Sequence, residues 1–333
     1  MLVWSYLYYV LFPPLFKFDM NRLPVLFILL GVLFGQARIG EWQAYTAPLH
    51  INDIAGFEQQ AVCGTNGGLL IYDQDENTFN TLTVIDQLAG TGVNVVEIGQ
   101  DGYLWLGGVS PDGFVQVYDL KTKNSIAEFD FGLTEIIDIS IADSIGFVAF
   151  LKNQDWGLME FIYRDEWIYR DVYRNWPTDF ESINAIEIWD DEVMVATEQG
   201  LFVGDWRGSN LKDPTNWGQP YTTLSGNISS LHENGSNILL VHERNVYHLT
   251  PNTSTPLTLL WDYFSDTDQF IDITQDSDGF LWGILDRKFM KLSDTAIDWQ
   301  LDVQSKYSFT CLTKMPDGQI IAGSEIGITL IDQ

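Results

Sequence analysis

Phe270-Ile271-Asp272-Ile273-Thr274-Gln275-Asp276-Ser277-Asp278-Gly279-Phe280-Leu281-Trp282-Gly283 reads as a strand, a tight turn and the start of a second strand. Large apolar residues stand at its first and fourth positions, Asp278-Gly279 suits a reversal needing positive φ, and a compact apolar run follows. The same opening recurs at Ile51-Asn52-Asp53-Ile54, Val93-Asn94-Val95-Val96, Ile136-Ile137-Asp138-Ile139, Ile183-Asn184-Ala185-Ile186, Ile228-Ser229-Ser230-Leu231 and Phe309-Thr310-Cys311-Leu312. Counted on the fourth position (54, 96, 139, 186, 231, 273, 312), the intervals are 42, 43, 47, 45, 42 and 39 residues. Short strands repeating at this period predict propeller blades, each one four-stranded antiparallel sheet. The expected fold is all-β: a single seven-bladed β-propeller spanning residues 38–333.

Within the units, Asp101-Gly102, Asn234-Gly235, Asp278-Gly279 and Asp317-Gly318 are read as two-residue hairpin turns. A Gly-apolar step opens the third strand at Gly68-Leu69, Gly113-Phe114, Gly157-Leu158, Gly200-Leu201 and Gly327-Ile328. Glycine there is expected to permit close approach between sheets near the axis. Outer strands are looser and aromatic, as in Trp167-Ile168-Tyr169 and Trp299-Gln300-Leu301. The seventh unit reaches only a third strand, at Leu330-Ile331-Asp332-Gln333. Residues 41–47, carrying Trp42-Gln43-Ala44-Tyr45, match the outer-strand type and are expected to complete that blade, removing two open sheet edges.

The 46 acidic residues against 17 Lys and Arg give a net charge of -29, a field that repels nucleic acid and anionic lipid. A hydrophobic fraction of 46% is ample for a large core. Met20-Asn21-Arg22, the apolar run Leu23–Phe34 and the small-x-small triplet Gly35-Gln36-Ala37 together read as an export signal over residues 20–37. The run is too short for a comfortable membrane span, so no span is expected in the mature chain. Residues 1–19 fit no such plan and read as a mis-assigned start or a disordered leader, with translation beginning at Met20. The expected location is outside the cytoplasm of a bacterium: periplasmic, cell-surface or secreted. Cys63 and Cys311 fall in the first and last blades and read as two buried thiols in preference to a bridge.

No nucleophile elbow occurs and neither cysteine has an activating context, so the sequence reads as non-catalytic, with no cofactor; a propeller lyase or hydrolase using paired acids at the ring's centre is the weaker alternative. Three of the four histidines, His232, His242 and His248, lie on successive strands of the fifth unit; polar positions explain them better than a metal site. Asp73-Gln74-Asp75, Asp276-Ser277-Asp278-Gly279 and Asp266-Thr267-Asp268 with Asp272 hint at calcium, but none completes a ligand set, and turns explain them. One constellation stands out. Asp53, Glu97, Asp138, Glu187 and Asp272 lie on five different inner strands, and inward-pointing side chains would bring all five to a central funnel. Such a ring raises the acids' pKa values or recruits a cation. The rim loops add Trp176 and Tyr263 as candidate stacking surfaces for a sugar face.

Ile271–Gly283, Ile98-Gly99-Gln100-Asp101-Gly102-Tyr103-Leu104-Trp105-Leu106-Gly107 and Gly64-Thr65-Asn66-Gly67-Gly68-Leu69-Leu70-Ile71-Tyr72-Asp73 resemble two-component-regulator propeller repeats. The stretch from Trp42 to Asp73 is also similar to the N-terminal propeller of the PorZ family of type IX secretion. The resemblance covers residues 41–333 and rests on turn and core residues. It implies either a sensor-type module for a polysaccharide or small polar ligand, or a scaffold for an envelope protein.

Overall fold

The computed structural model describes residues 46–331 apart from 111, 252, 254–255, 263–268, 294–296 and 303–306. Its strands form seven antiparallel sheets, each built of consecutive strands in chain order. The first strands of the seven blades are Ile51–Phe57, Gly92–Ile98, Glu135–Ala142, Ile183–Trp189, Ile228–Asn234, Asp272–Gln275 and Phe309–Lys314. Six sheets have four strands, and the seventh has three among the described residues, ending with Gly327–Ile331. No α-helix occurs among the described residues.

A bulge explains the apolar-x-x-apolar spacing. In an unbroken strand the first and fourth positions point to opposite faces. Here Ile51 pairs with Thr65 and Asp53 with the adjacent Gly64, leaving Asn52 as an extra residue. The same slip falls at Asn94, Ile137, Asn184, Ser229 and Thr310. One extra residue turns the first anchor onto the face of the fourth. Both anchors then pack on the preceding blade. Val93 and Val96 meet Val62 and Leu69; Ile136 and Ile139 meet Trp105 and Val117. Ile228 and Leu231 meet Met194 and Leu201, and Phe309 and Leu312 meet Trp282 and Phe289. Burial of each such side chain contributes about 1.5–3 kcal/mol.

The ring closes by the same device. Ile51 and Ile54 pack with Cys311 and Ile321 of the last blade, and Gln74 Nε2 donates to Gln319 Oε1 at 2.6 Å across the outer seam. Residues 41–45 of the expected closing strand lie outside the described residues, and Thr46 and Ala47 belong to no strand. Cys63 and Cys311 are unbridged and buried within the seam core. Burial pushes the Cys63 thiol up to about 12 and the Cys311 thiol well above its ordinary value, so neither is an activated nucleophile.

Two turn readings are corrected. Only Asn234-Gly235-Ser236-Asn237 is a two-residue hairpin. In the other three, Gly102, Gly279 and Gly318 adopt φ of 79, 89 and 96° and close three-residue loops, in which one left-handed residue is needed. At Gly68, Gly200 and Gly327 the glycine opening the third strand serves a turn, with φ of 111, 128 and 134°, and not an approach between blades. At Gly68, φ is +111° and a Cβ would lie 2.3 Å from the Leu82 carbonyl oxygen of the same sheet. Thr65 Oγ1 donates to the Gly68 carbonyl and accepts from Gly67 N–H, a pattern repeated by Thr197 with Gly200 and Gln199.

Asp276 shows why the Asp-x-Asp-Gly-x-Leu-Trp run is structural. Its Oδ1 accepts from the N–H groups of Asp278 and Phe280 at 3.0 and 2.9 Å, and its Oδ2 accepts from Trp282 Nε1 at 2.8 Å. Lys291 Nζ lies 3.6 Å from Oδ2 and 3.9 Å from the centroid of the Phe280 ring. The carboxylate thus ties the turn to a buried indole and has its oxygens engaged by protein donors. Blade 2 has Gly99 at the matching position, and there Trp105 Nε1 is buried without a hydrogen-bond partner. Asp276→Ala is expected to lower unfolding free energy by about 2–3 kcal/mol in urea titration. The exposed neighbour Asp278→Ala should cost under about 1 kcal/mol. Equal losses would contradict this assignment.

Candidate functional site

The bulge that seats the anchors also aims the second and third positions of an inner strand at the axis, with the fifth position following below. The walls enclose a central cavity of about 520 Å³. All five expected acids, Asp53, Glu97, Asp138, Glu187 and Asp272, line it. They are not equivalent.

The three aspartates occupy the third position and fasten one blade to the next. Asp53 Oδ1 accepts from Ile54 N–H at 2.8 Å, and Oδ2 reaches Val96 N–H in blade 2 at 2.9 Å. Asp138 bridges Ile139 and Ile186 at 2.8 and 2.7 Å, and Asp272 bridges Ile273 and Leu312 at 2.8 and 2.9 Å. A short side chain suits this reach, because the neighbouring N–H lies beside the strand. Asparagines at the second position add a parallel tie: Asn52 Nδ2 donates to the Val93 carbonyl, and Asn184 Nδ2 to the Ile228 carbonyl, both at 2.8 Å.

The glutamates occupy the fifth position and reach further. Glu187 Oε1 accepts from Ser140 Oγ at 2.9 Å, and Oε2 accepts from Glu233 N–H at 3.1 Å. Glu97 has no hydrogen-bond partner among the described residues. His232 stands in the same column, and its Nε2 lies 2.6 Å from Asp272 Oδ1. On sequence His232 reads as an ordinary polar position, weighed against a metal site, and not as a member of the axial ring. Superposing the units would have placed it beside Glu97 and Glu187, since all three follow the fourth-position anchor directly.

The channel's electrostatics follow from burial. Burial, only partly offset by the Val96 and Ile54 N–H groups, raises Asp53 to about 6. The same cause raises Asp138 and Glu187 to about 7. Glu97 is pushed well above the carboxylate range by burial and then by Glu187, Asp53 and Asp138. Burial pulls His232 down, but Asp272, Glu187 and Asp138 together outweigh it and hold the imidazole at about 9.

Other expected residues stand apart. Trp176 is partly buried, 4.7 Å from the Trp217 ring and 5.0 Å from Phe180, and its Nε1 donates to the Trp156 carbonyl, so it serves interblade packing. Tyr263 and Asp266-Thr267-Asp268 lie outside the described residues. His242 bonds the Ser225 carbonyl and His248 lies near Asn234, so the three fifth-blade histidines do not converge. Asp73 accepts from Glu76 N–H and Gln60 Nε2 in an ordinary turn.

A seven-bladed β-propeller with an acid-lined axis is the class of protein that fold and site define. No family model and no curated protein matches the sequence. Among solved structures, the extracellular domain of a hybrid two-component system from B. thetaiotaomicron is similar, at 15% identity and a TM-score of 0.62 over 85% of this chain. PorZ, a bacterial surface component of the type IX secretion system of Porphyromonas gingivalis, matches over 87% of this chain at 16% identity with a TM-score of 0.65. The chain spans 38% of the length of each of these two. The Cps50 (Swd1) β-propeller domain of Myceliophteria thermophila matches along its whole length, at 14% identity and a TM-score of 0.66. At these identities the likeness is one of fold. No helix among the described residues is long and apolar enough to cross a membrane.

The channel acids and His232 bias stability with pH in one direction. Asp53, Asp138 and Glu187 stay protonated in the folded chain up to about pH 6–7, whereas the ordinary values of 3.8 and 4.5 hold in the unfolded chain. The folded state therefore binds more protons across that window and loses stability as pH rises through it. His232, raised from 6.5 to about 9, contributes stability that is full below pH 6.5 and lost towards pH 9. Melting temperature should thus be highest near pH 5 and fall steadily to pH 9, with a shallower fall between pH 5 and 7 in Glu187→Gln. A melting temperature that climbs between pH 5 and 8 would refute this balance.

Proposed function

We propose that this chain is a non-catalytic, extracytoplasmic binding module of sensor type whose axial cavity holds a polar or saccharide-like ligand. The observation that carries the reading is the division of labour along the axis. The aspartates are engaged in joining blades, while Glu97 and the half-exposed His232 face the cavity. A volume of about 520 Å³ suits a small organic ligand, since such sites typically run from about 300 to 1,000 Å³. Neither thiol is an activated nucleophile, because burial holds both well above neutral pH, which supports a binding role. The leader at residues 20–37 supports export, and the similarity to an extracellular two-component domain supports a sensing role.

A second reading, a scaffold in envelope assembly or type IX secretion, is favoured by the similarity to PorZ. The two readings separate on a panel of saccharides and small polar molecules screened by thermal shift, with Thr313→Trp as the test variant. Thr313 lines the cavity, so an indole there fills it. The sensor reading expects at least one ligand whose stabilisation disappears in Thr313→Trp. A wild-type response that survives the substitution, or no response to any compound, would favour the scaffold.

A further inference from the structure

We propose that the axial cavity selects an organic ammonium ion, of the diamine or amino-sugar class, seated on the Glu97 carboxylate; this rests on the binding reading above. Asn52 Nδ2 is engaged by the Val93 carbonyl, Asn94 Nδ2 by Glu135 Oε1 and Asn184 Nδ2 by the Ile228 carbonyl, each at 2.8 Å. The inner-strand N–H groups of Val96, Ile186 and Leu312 are taken by the aspartates, and His232 Nε2 by Asp272. On the acceptor side, no donor reaches the side-chain carbonyls of Asn52 and Asn94, or Glu97, among the described residues; on the donor side, His232 Nδ1 and the Ser229 hydroxyl are also unengaged. Ser229 Oγ, on the same wall, is buried with no hydrogen-bond partner at all.

An acceptor-rich wall fits a ligand that brings donors and no acceptor at its head. An ammonium has three donors and none to accept with. A neutral polyol would find donors in the Ser229 hydroxyl and His232 Nδ1 but would bring no countercharge to Glu97, and an anion would be repelled by Asp53, Asp138 and Glu187. A metal ion fits less well, because no three His, Cys, Asp or Glu side chains converge as ligands among the described residues. An elongated organic cation can instead span from Glu97 towards the Asn52 and Asn94 carbonyls at the mouth.

Glu97 also sets a proton balance. An unpaired carboxylate among Glu187, Asp53 and Asp138 is held protonated by burial and like charges, against the opposing pull of His232. An arriving ammonium replaces that proton, which leaves to the buffer: the neutral acid and the cation become an ion pair and one released proton.

Isothermal titration at pH 7 and physiological salt tests this, with putrescine against its neutral isostere butanediol, in two buffers of different ionisation heat. Putrescine should bind with proton release, butanediol should not bind, and Glu97→Gln should weaken binding by at least about tenfold. Glu128→Gln, an exposed acid on an outer strand, should leave it unchanged. Glu97→Gln should melt no lower than wild type at pH 8, which verifies that it folds. Putrescine binding indifferent to Glu97→Gln would mean association with the acidic exterior and overturn the proposal. If putrescine fails but a saccharide binds and is lost in Thr313→Trp, the ammonium assignment falls and the binding reading stands. If neither binds, both fall.

Discussion

The whole ring depends on one irregularity repeated around the axis: an extra residue near the start of the inner strand. Without it, the first and fourth positions would bury themselves against different neighbours. With it, both anchors lock onto the preceding blade and two successive side chains turn to the centre. Packing and site are thus produced by the same backbone feature. Core and channel meet at Ile51 and Asp53: the isoleucine closes the seam with blade 7, while the aspartate two residues on fastens blade 2.

That coupling explains an arrangement that would otherwise be costly. Burying carboxylates is unfavourable unless donors compensate. Each third-position aspartate meets two backbone N–H groups, one of them freed from strand pairing where neighbouring blades abut. Backbone donors near the axis have no room for another strand, so a side-chain acceptor is the available partner. Where the third position is not acidic, other means appear: Ser230 Oγ donates to Asp272, and at the seam Cys311 sits among apolar residues.

The architecture was legible because anchor spacing and turn chemistry repeat, and repetition averages out local ambiguity. Val93 and Phe309 differ in volume, yet both stand three residues before another anchor and both pack backwards. The loop lengths were not legible, since Asp-Gly serves a two- or a three-residue reversal and only the closing hydrogen bonds distinguish them. The membership of the acid ring was legible as well, but its roles were not. Aspartate and glutamate look alike in composition; what separates them is reach, one methylene, and a column two residues further along the strand. Trp176 marks the opposite limit. An aromatic in a connecting loop can face solvent or its own sheet, and the Trp156 carbonyl and Trp217 ring that hold it inward come from strands distant in sequence.

Glu97 and Glu187 share a column yet differ in surroundings, and the difference has a physical consequence. Glu187 has Ser140 on the neighbouring strand and the Glu233 N–H beyond it, so its lone pairs are met within the fold. The equivalent neighbours of Glu97 are Ala55, which has no hydroxyl, and the Ile141 N–H, to which Glu97 makes no hydrogen bond. A glutamate left in this state weakens the fold relative to glutamine, since the folded chain must either hold its proton or tolerate an unpaired charge beside other acids. A local cost with no local compensation is expected at functional positions and rarely elsewhere. The three aspartates each join two blades through backbone N–H groups and so have a structural role; Glu97 joins nothing, and that asymmetry is the reason to seek the ligand on its side of the axis.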